Sequence, residues 1–250
     1  MGRLRSLDPI IARDGELVVE RDATRPTGRL LRQGEMDSSY VDLADPRHLE
    51  FAYMRWLRMI LRAAHARRIL HIGGAACALP RALAAEWPDG RQEVCELDSG
   101  VLELARAHMG LRRTPGLRVR HADGRVWLAR QPDRSFDAVV VDAFLGARIP
   151  HRLITAQAFT QAARVTPLTL VNVVDDRARR QVGAVLAALA TAFPCTWTLG
   201  VRAGNTICVG TRLTLPLSLI AAGAAADPDP AALSDTAVTE AAGRRRDGAR

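Results

Sequence analysis

Four places in the sequence combine residue types that can hold a small ligand and move a proton. Gly73-Gly74 follows a short apolar run, Glu96 ends a second, Asp123-Gly124 follows a third, and Asp142 closes a fourth. Glycine lets the backbone pass close to a ligand where a Cβ would collide. An acid roughly 20 residues after such a glycine turn can accept hydrogen bonds from both hydroxyls of a ribose, which is the role open to Glu96. Asp123 is placed to accept from the exocyclic amine of a base. Asp142 points to where a transferred group would meet its acceptor, the position of a general base. Each acid taken alone could instead cap the helix after it. Their recurrence at successive strand ends argues that not all do.

The glycine loop narrows the ligand. Gly73-Gly74-Ala75-Ala76-Cys77-Ala78 is not G-x-G-x-x-G, so a close approach to a pyrophosphate is not encoded. A nucleoside without phosphates fits better, such as an S-adenosyl sulfonium compound or methylthioadenosine.

The elements that must position these residues alternate from residue 67 onward. Strands are expected at 69–72, 92–96, 117–121, 137–141 and 168–174, with helices between them at 80–85, 99–108 (Ser99 as cap), 125–130, 155–164 and 177–192. That alternation implies a mainly parallel sheet covered on both faces. Runs at 195–201 and 205–211, joined at Arg202-Ala203-Gly204, close it as a hairpin. The fold class is therefore α/β, with a seven-stranded, mostly parallel, Rossmann-like sheet whose last strand is antiparallel. Residues 1–45 read as a small β-rich region with strand candidates at 16–20, 29–32 and 39–43. Asp45-Pro46 is expected to open a helix whose buried stripe is Leu49, Tyr53, Trp56, Leu57, Ile60 and Leu61, with Arg55, Arg58 and Arg62 facing water. The nucleoside-binding domain spans 46–220. Residues 221–250 lack apolar periodicity and are expected to be a disordered Ala/Asp/Arg tail.

Composition removes several alternatives. The 35 basic residues are all arginine, so no Schiff-base or P-loop lysine exists. The net charge of +8 is spread along the chain and aromatics are only 4%, which disfavours nucleic-acid binding. Cys77, Cys95, Cys195 and Cys208 form no C-x-x-C pair and the six histidines lack ligand spacing, so no metal site is expected. No run approaches the ~18 apolar residues of a membrane span, and the first residues lack the apolar core of a signal peptide, so a cytoplasmic address is expected.

On these residues, the stretch 39–211 resembles the spermidine synthase family, aminopropyltransferases with the fold of S-adenosylmethionine-dependent methyltransferases. That family's G-G-G-D-G-G loop matches Gly73 to Ala78. Its V-E-I-D strand end, whose Glu holds ribose, matches Val94-Cys95-Glu96-Leu97-Asp98. Its D-D-G, which lines the adenine site, matches Ala122-Asp123-Gly124. Its F-D-V-I-x-D, ending in the catalytic carboxylate, matches Phe136 to Asp142 with one extra residue. Its E-F-x-Y-H-E matches Glu50-Phe51-Ala52-Tyr53-Met54-Arg55. The resemblance implies a nucleoside set of Gly73, Gly74, Glu96, Leu97, Asp123 and Gly124, with Asp142 as the catalytic base. It also implies a decarboxylated S-adenosylmethionine or methylthioadenosine ligand, a small-molecule amine as acceptor, and a homodimer through the N-terminal strands.

The departures fall on the diamine half of the motif. Ala76 and Leu145 stand where the family has acids, Met54-Arg55 replaces His-Glu, and Pro167-Leu168-Thr169 replaces a P-G-G turn. A diamine carries two positive charges, and lost carboxylate partners weaken its binding. Three readings follow: an aminopropyltransferase-like enzyme with an altered acceptor, an S-adenosylmethionine-dependent methyltransferase of another acceptor, or a non-catalytic nucleoside-binding module.

Overall fold

Alternate residues of the buried strands face opposite ways, and this decides the layers. The structure, a computed structural model, describes residues 7–111, 114–146 and 148–235. Its first part is an antiparallel sheet of four strands in sequence order, β1 (Leu7–Asp14), β2 (Leu17–Asp22), β3 (Gly28–Gln33) and β4 (Met36–Asp42). There follow α1 (Ala52–Ala63), β5 (Arg68–Gly73), α2 (Ala78–Glu86), β6 (Arg91–Glu96), α3 (Ser99–His108), β7 (Leu117–His121), α4 (Gly124–Ala129) and β8 (Ala138–Asp142). A 3-10 turn at His151–Leu153 leads to α5 (Ala156–Val165), β9 (Leu168–Asp175), α6 (Arg180–Ala190), β10 (Cys195–Gly200) and β11 (Gly204–Thr211). The last described elements are α7 (Leu217–Ala225) and β12 (Ala232–Asp235).

The second sheet has eight strands in the order β12-β10-β11-β9-β8-β5-β6-β7. Strands β7, β6, β5, β8 and β9 are parallel, and β11 enters antiparallel beside β9. Ile69, Ala138, Val140, Leu168 and Leu170 pack to one face, with α1, α2, α3 and α7. Leu70, Ile72, Val139, Val141, Val171 and Val173 pack to the other, with α4, α5 and α6. His71 is buried beside Gln92 at 2.9 Å, and burial pushes it down to about 4, so it is a neutral core residue. No helix among the described residues is long and apolar enough to cross a membrane.

Four expectations are corrected. The sheet gains an eighth strand, because β12 pairs with β10 from Trp197↔Asp235 to Gly200↔Ala232. Residues 221–235, read as disordered, carry the end of α7 and all of β12; residues 236–250 lie outside the described residues. Only Ile220 and Ala224 of α7 are buried, and such a short stripe leaves no periodic signal. Helix α1 starts at Ala52, because Asp45 accepts from the Arg47 N–H in a local turn and Phe51 takes an extended N-cap conformation. Helix α3 is capped by the Asp98 carboxylate on Val101 N, not by Ser99.

Candidate active site

Parallel strands present their carboxyl ends together, and a ligand site forms just beyond them. Gly73 and Asp142 are register partners across β5 and β8, and Glu96 is paired with His121 across β6 and β7. A cleft of 2310 Å³ opens over these ends, lined by Gly73, Gly74, Glu96, Asp123, Asp142 and Asn172 among others. That exceeds the 300–1,000 Å³ or so of a typical small-molecule pocket, because the cleft is open and runs on to residues of the N-terminal sheet such as Arg32 and Asp37.

The two loop glycines serve different ends. A Cβ on Gly73 (φ +79°) would run into the Asp142 carbonyl and Ala143, so this glycine lets β5 and β8 close on one another. A Cβ on Gly74 (φ +128°) would meet nothing within 4 Å. Gly74 is the one that leaves its face open to a ligand. Gly124 is needed for packing on Ile72.

Glu96 is held by backbone. Its Oε1 accepts from Leu97 N (2.8 Å) and Asp98 N (3.1 Å), and its Oε2 accepts from Ala75 N (3.1 Å). Oε2 thus keeps a lone pair for a hydroxyl. Burial pushes its carboxyl above the ordinary range, against those backbone donors. Leu97, 55% exposed, borders the cleft beside it.

Asp123 caps α4. Its Oδ1 accepts from Arg125 N (2.9 Å) and Val126 N (3.3 Å), and Arg152 pairs with its Oδ2. Burial opposes its charge, yet the Val126 N–H, Arg152 and the Arg125 N–H hold the carboxyl below its usual range. The hydrogen bonds show the capping alternative, and the residue also lines the cleft.

Asp142 sits at the floor of the cleft. Tyr53 donates its hydroxyl to Oδ2 (3.1 Å) and Asn172 donates Nδ2 to Oδ1 (2.9 Å). Asn205 Nδ2 donates in turn to Asn172 Oδ1 at 3.1 Å. Burial pushes Asp142 upward, the hydrogen bonds from Asn172 and Tyr53 resist, and the Glu96 charge adds to the rise. Tyr53 is pushed well above its normal value by burial and by the Asp142 charge, so it is a fixed donor. The orienting pair was missed in the sequence. Tyr53 was assigned to the buried stripe, and Asn172 lies inside an apolar strand with no motif around it.

The chain is similar to known proteins both in sequence and in fold. No family model matches. The Vibrio vulnificus (strain CMCP6) polyamine aminopropyltransferase is 31% identical over 121 residues, 47% of this chain and 40% of that protein. A probable spermidine synthase from Corynebacterium glutamicum ATCC 13032 superposes with a TM-score of 0.80 at 26% identity, covering 94% of this chain and 92% of the other. The chain is thus similar to a polyamine aminopropyltransferase over about half of its length and to a probable spermidine synthase structure over nearly all of it. A spermidine synthase in complex with the transition state analogue AdoDATO superposes at TM-score 0.63 with 15% identity over 86% of this chain and 77% of that one, a likeness of fold. Human methyltransferase-like protein 13 in complex with SAH does so at 0.53, with 20% identity over 67% and 86%.

The departures from spermidine synthase motifs take definite places. Ala76 is fully buried in the core, and Ala75 faces the cleft instead. Leu145 is 79% exposed at the cleft's rim. Arg55, expected to face water, is instead half-buried against Asp227 and Asp229 of the segment between α7 and β12, at 2.7 Å from each. Among the described residues, no group of three or more His, Cys, Asp and Glu could hold a metal ion.

Proposed function

We propose that this chain is an aminopropyltransferase-type enzyme that binds a decarboxylated S-adenosyl sulfonium nucleoside and transfers its aminopropyl group to an amine. The observation that carries this is the seat of Asp142, a carboxyl group held on both oxygens by neutral donors, level with Gly73 and lining an open cleft. Such a carboxylate can accept a proton. As the acceptor nitrogen attacks the carbon next to sulfur, the new N–C bond forms and the S–C bond breaks. Its electron pair stays on sulfur as a neutral thioether, and the nitrogen's proton passes to Asp142.

The nucleoside fits the remaining groups. Glu96 Oε2 takes a ribose hydroxyl, and Gly74 leaves its face of the loop open for the sugar and the sulfur chain. The adenine amine meets the Asp123 and Arg152 pair, with Leu97 against the base and Gly124 setting the depth of the floor. An intact methionine carboxylate would sit near Asp142, and Arg55 and Arg152 are each already paired with carboxylates. Charge repulsion therefore favours the decarboxylated form over S-adenosylmethionine itself. The reading extends to a homodimer through the four-stranded sheet, which light scattering checks.

Calorimetric titration with decarboxylated S-adenosylmethionine, S-adenosylmethionine and methylthioadenosine tests the ligand. The expected order places the decarboxylated compound and methylthioadenosine ahead of S-adenosylmethionine; a preference for S-adenosylmethionine would point to a methyltransferase. Asp142→Asn is expected to keep nucleoside binding and to lose turnover with any amine that the native protein accepts. Turnover at near-native rate in that variant would remove Asp142 from the chemistry.

A further inference from the structure

We infer that Arg152, paired with Asp123, is a specificity-determining residue that reads the ring nitrogen beside the amino group of a 6-aminopurine. This rests on the nucleoside reading of the cleft. A carboxylate alone asks a base only for an N–H. A carboxylate with uncommitted cationic donors beside it asks for an N–H and an acceptor side by side.

The protein itself uses up most of the acid. A carboxylate oxygen offers two lone-pair positions, and both on Asp123 Oδ1 are taken by the N–H groups of Arg125 and Val126. Oδ2 accepts from Arg152 Nη1 and keeps one position open. The arginine is the reverse. A guanidinium carries five N–H donors in a planar fork, and Nη1 alone is engaged by the protein. Nη2 and Nε are uncommitted, the side chain is 51% exposed, and it borders the cleft together with Asp123. One open acceptor position therefore lies beside open donors. That order matches the edge of a 6-aminopurine, whose amino N–H has a bare ring nitrogen next to it, N1 on one side and N7 on the other. A 6-oxopurine in the same seat would set a carbonyl oxygen against Asp123 Oδ2.

Neither partner is loosely held. Arg152 belongs to the 3-10 turn His151–Leu153, which is anchored by buried Leu153 and closed by Leu153 N on the Pro150 carbonyl at 2.9 Å. Arg125, two residues after Asp123, donates through Nη1 to the Arg152 carbonyl and to Thr155 Oγ1 (3.2 Å), and through Nη2 to Gln157 Oε1 (3.0 Å). A second arginine thus ties together the two backbones that carry the pair, which lowers the ordering cost of using both at once. The cleft also supplies an apolar wall, Leu97, whose carbonyl lies 2.9 Å from His121 Nε2. Glu96 pairs with His121 across β6 and β7, and Asp123 follows His121 by two residues. The backbones of Glu96 and Asp123 are therefore within about 12 Å of one another, a separation that one nucleoside spans from ribose to base.

The test titrates four 5′-methylthio nucleosides calorimetrically into the native protein and into Arg152→Met: those of adenine, 1-deazaadenine, 7-deazaadenine and hypoxanthine. Methionine keeps an unbranched stem and has no donor. The native protein is expected to lose about tenfold in affinity for one of the deaza compounds, and which one identifies the nitrogen that is read. In Arg152→Met the same compound should bind within about twofold of methylthioadenosine. The hypoxanthine compound should bind weakly to both proteins, because Asp123 is present in both. A native protein that binds both deaza compounds as tightly as methylthioadenosine overturns the inference. So does a deaza loss that persists undiminished in Arg152→Met, or a hypoxanthine compound that binds as tightly as the adenine one. Failure of the underlying reading shows differently, as the absence of binding by every member of the series.

Discussion

If Asp142 is the proposed proton acceptor, two hydrogen bonds to its carboxylate bear on the pH at which the site works. Tyr53 and Asn172 favour ionised Asp142 and so hold its pKa below the value burial alone would impose. Tyr53→Phe removes one donor, the pKa rises further, and the acid limb of kcat/KM is expected to move to higher pH, with the alkaline side unchanged. A limb that stays put would show that another group titrates. Glu96→Gln exchanges a charged acceptor for a neutral one and leaves an amide nitrogen to face backbone N–H groups. A loss of about 2 kcal/mol, or roughly 30-fold in nucleoside affinity, is expected by titration. Binding to the native protein should also weaken as pH falls through the raised Glu96 pKa. The positions of Glu96 and Asp142 at strand ends were legible in the sequence because each closes an apolar run, and that of Asp123 because it follows the alternating Leu117–His121 strand. Their partners were not, because hydrogen bonds such as Tyr53 to Asp142 join residues 89 positions apart.

Strand ends and loop turns decide which glycine matters for which purpose. Gly73→Ala is expected to destabilise the fold, by positive φ and by collision with β8, by about 3 kcal/mol or more in urea unfolding. Gly74→Ala carries backbone strain but no collision, so its principal effect should be weaker nucleoside binding. Equal destabilisation by both would contradict the assignment. The parallel core was readable because β5, β8 and β9 are short apolar runs between helical stretches. The helix start at Ala52 was not, since Asp45-Pro46 carries every local sign of a helix opening and is overridden by a turn that brings Phe51 and Tyr53 to the cleft. The order in 221–235 also escaped, because its anchors are the Arg55 to Asp227 pair and the β10 to β12 ladder, both long-range.

Across the molecule, carboxylates of two opposite kinds govern stability against pH. Asp22, Asp42, Asp137 and Asp227 are held below their ordinary value of 3.8 by hydrogen bonds and ion pairs that outweigh burial. Their contribution is present above pH 3.8 and is lost as pH falls through the lowered values. Asp142 and Glu96 are raised, so theirs is present at low pH and lost as pH rises through the raised values. The urea midpoint is therefore expected to drop below about pH 4. Asp227→Ala should lower stability by about 2 kcal/mol at neutral pH by stranding Arg55, with a shallower acid dependence than the native protein. An unchanged midpoint would mean that the Arg55 brace is not formed in solution.

The seam between β5 and β8 has a consequence for motion. Gly73 and Asp142 are register partners with no side chain between them, so the glycine loop and the Asp142 carboxylate are held as one body. Ligand arrival cannot stretch that separation without breaking ladder hydrogen bonds. Amide hydrogen exchange across 69–73 and 138–142 should therefore be as slow in the free protein as in the saturated one. A faster exchange in the free protein would show that this seam opens and that a ligand closes it.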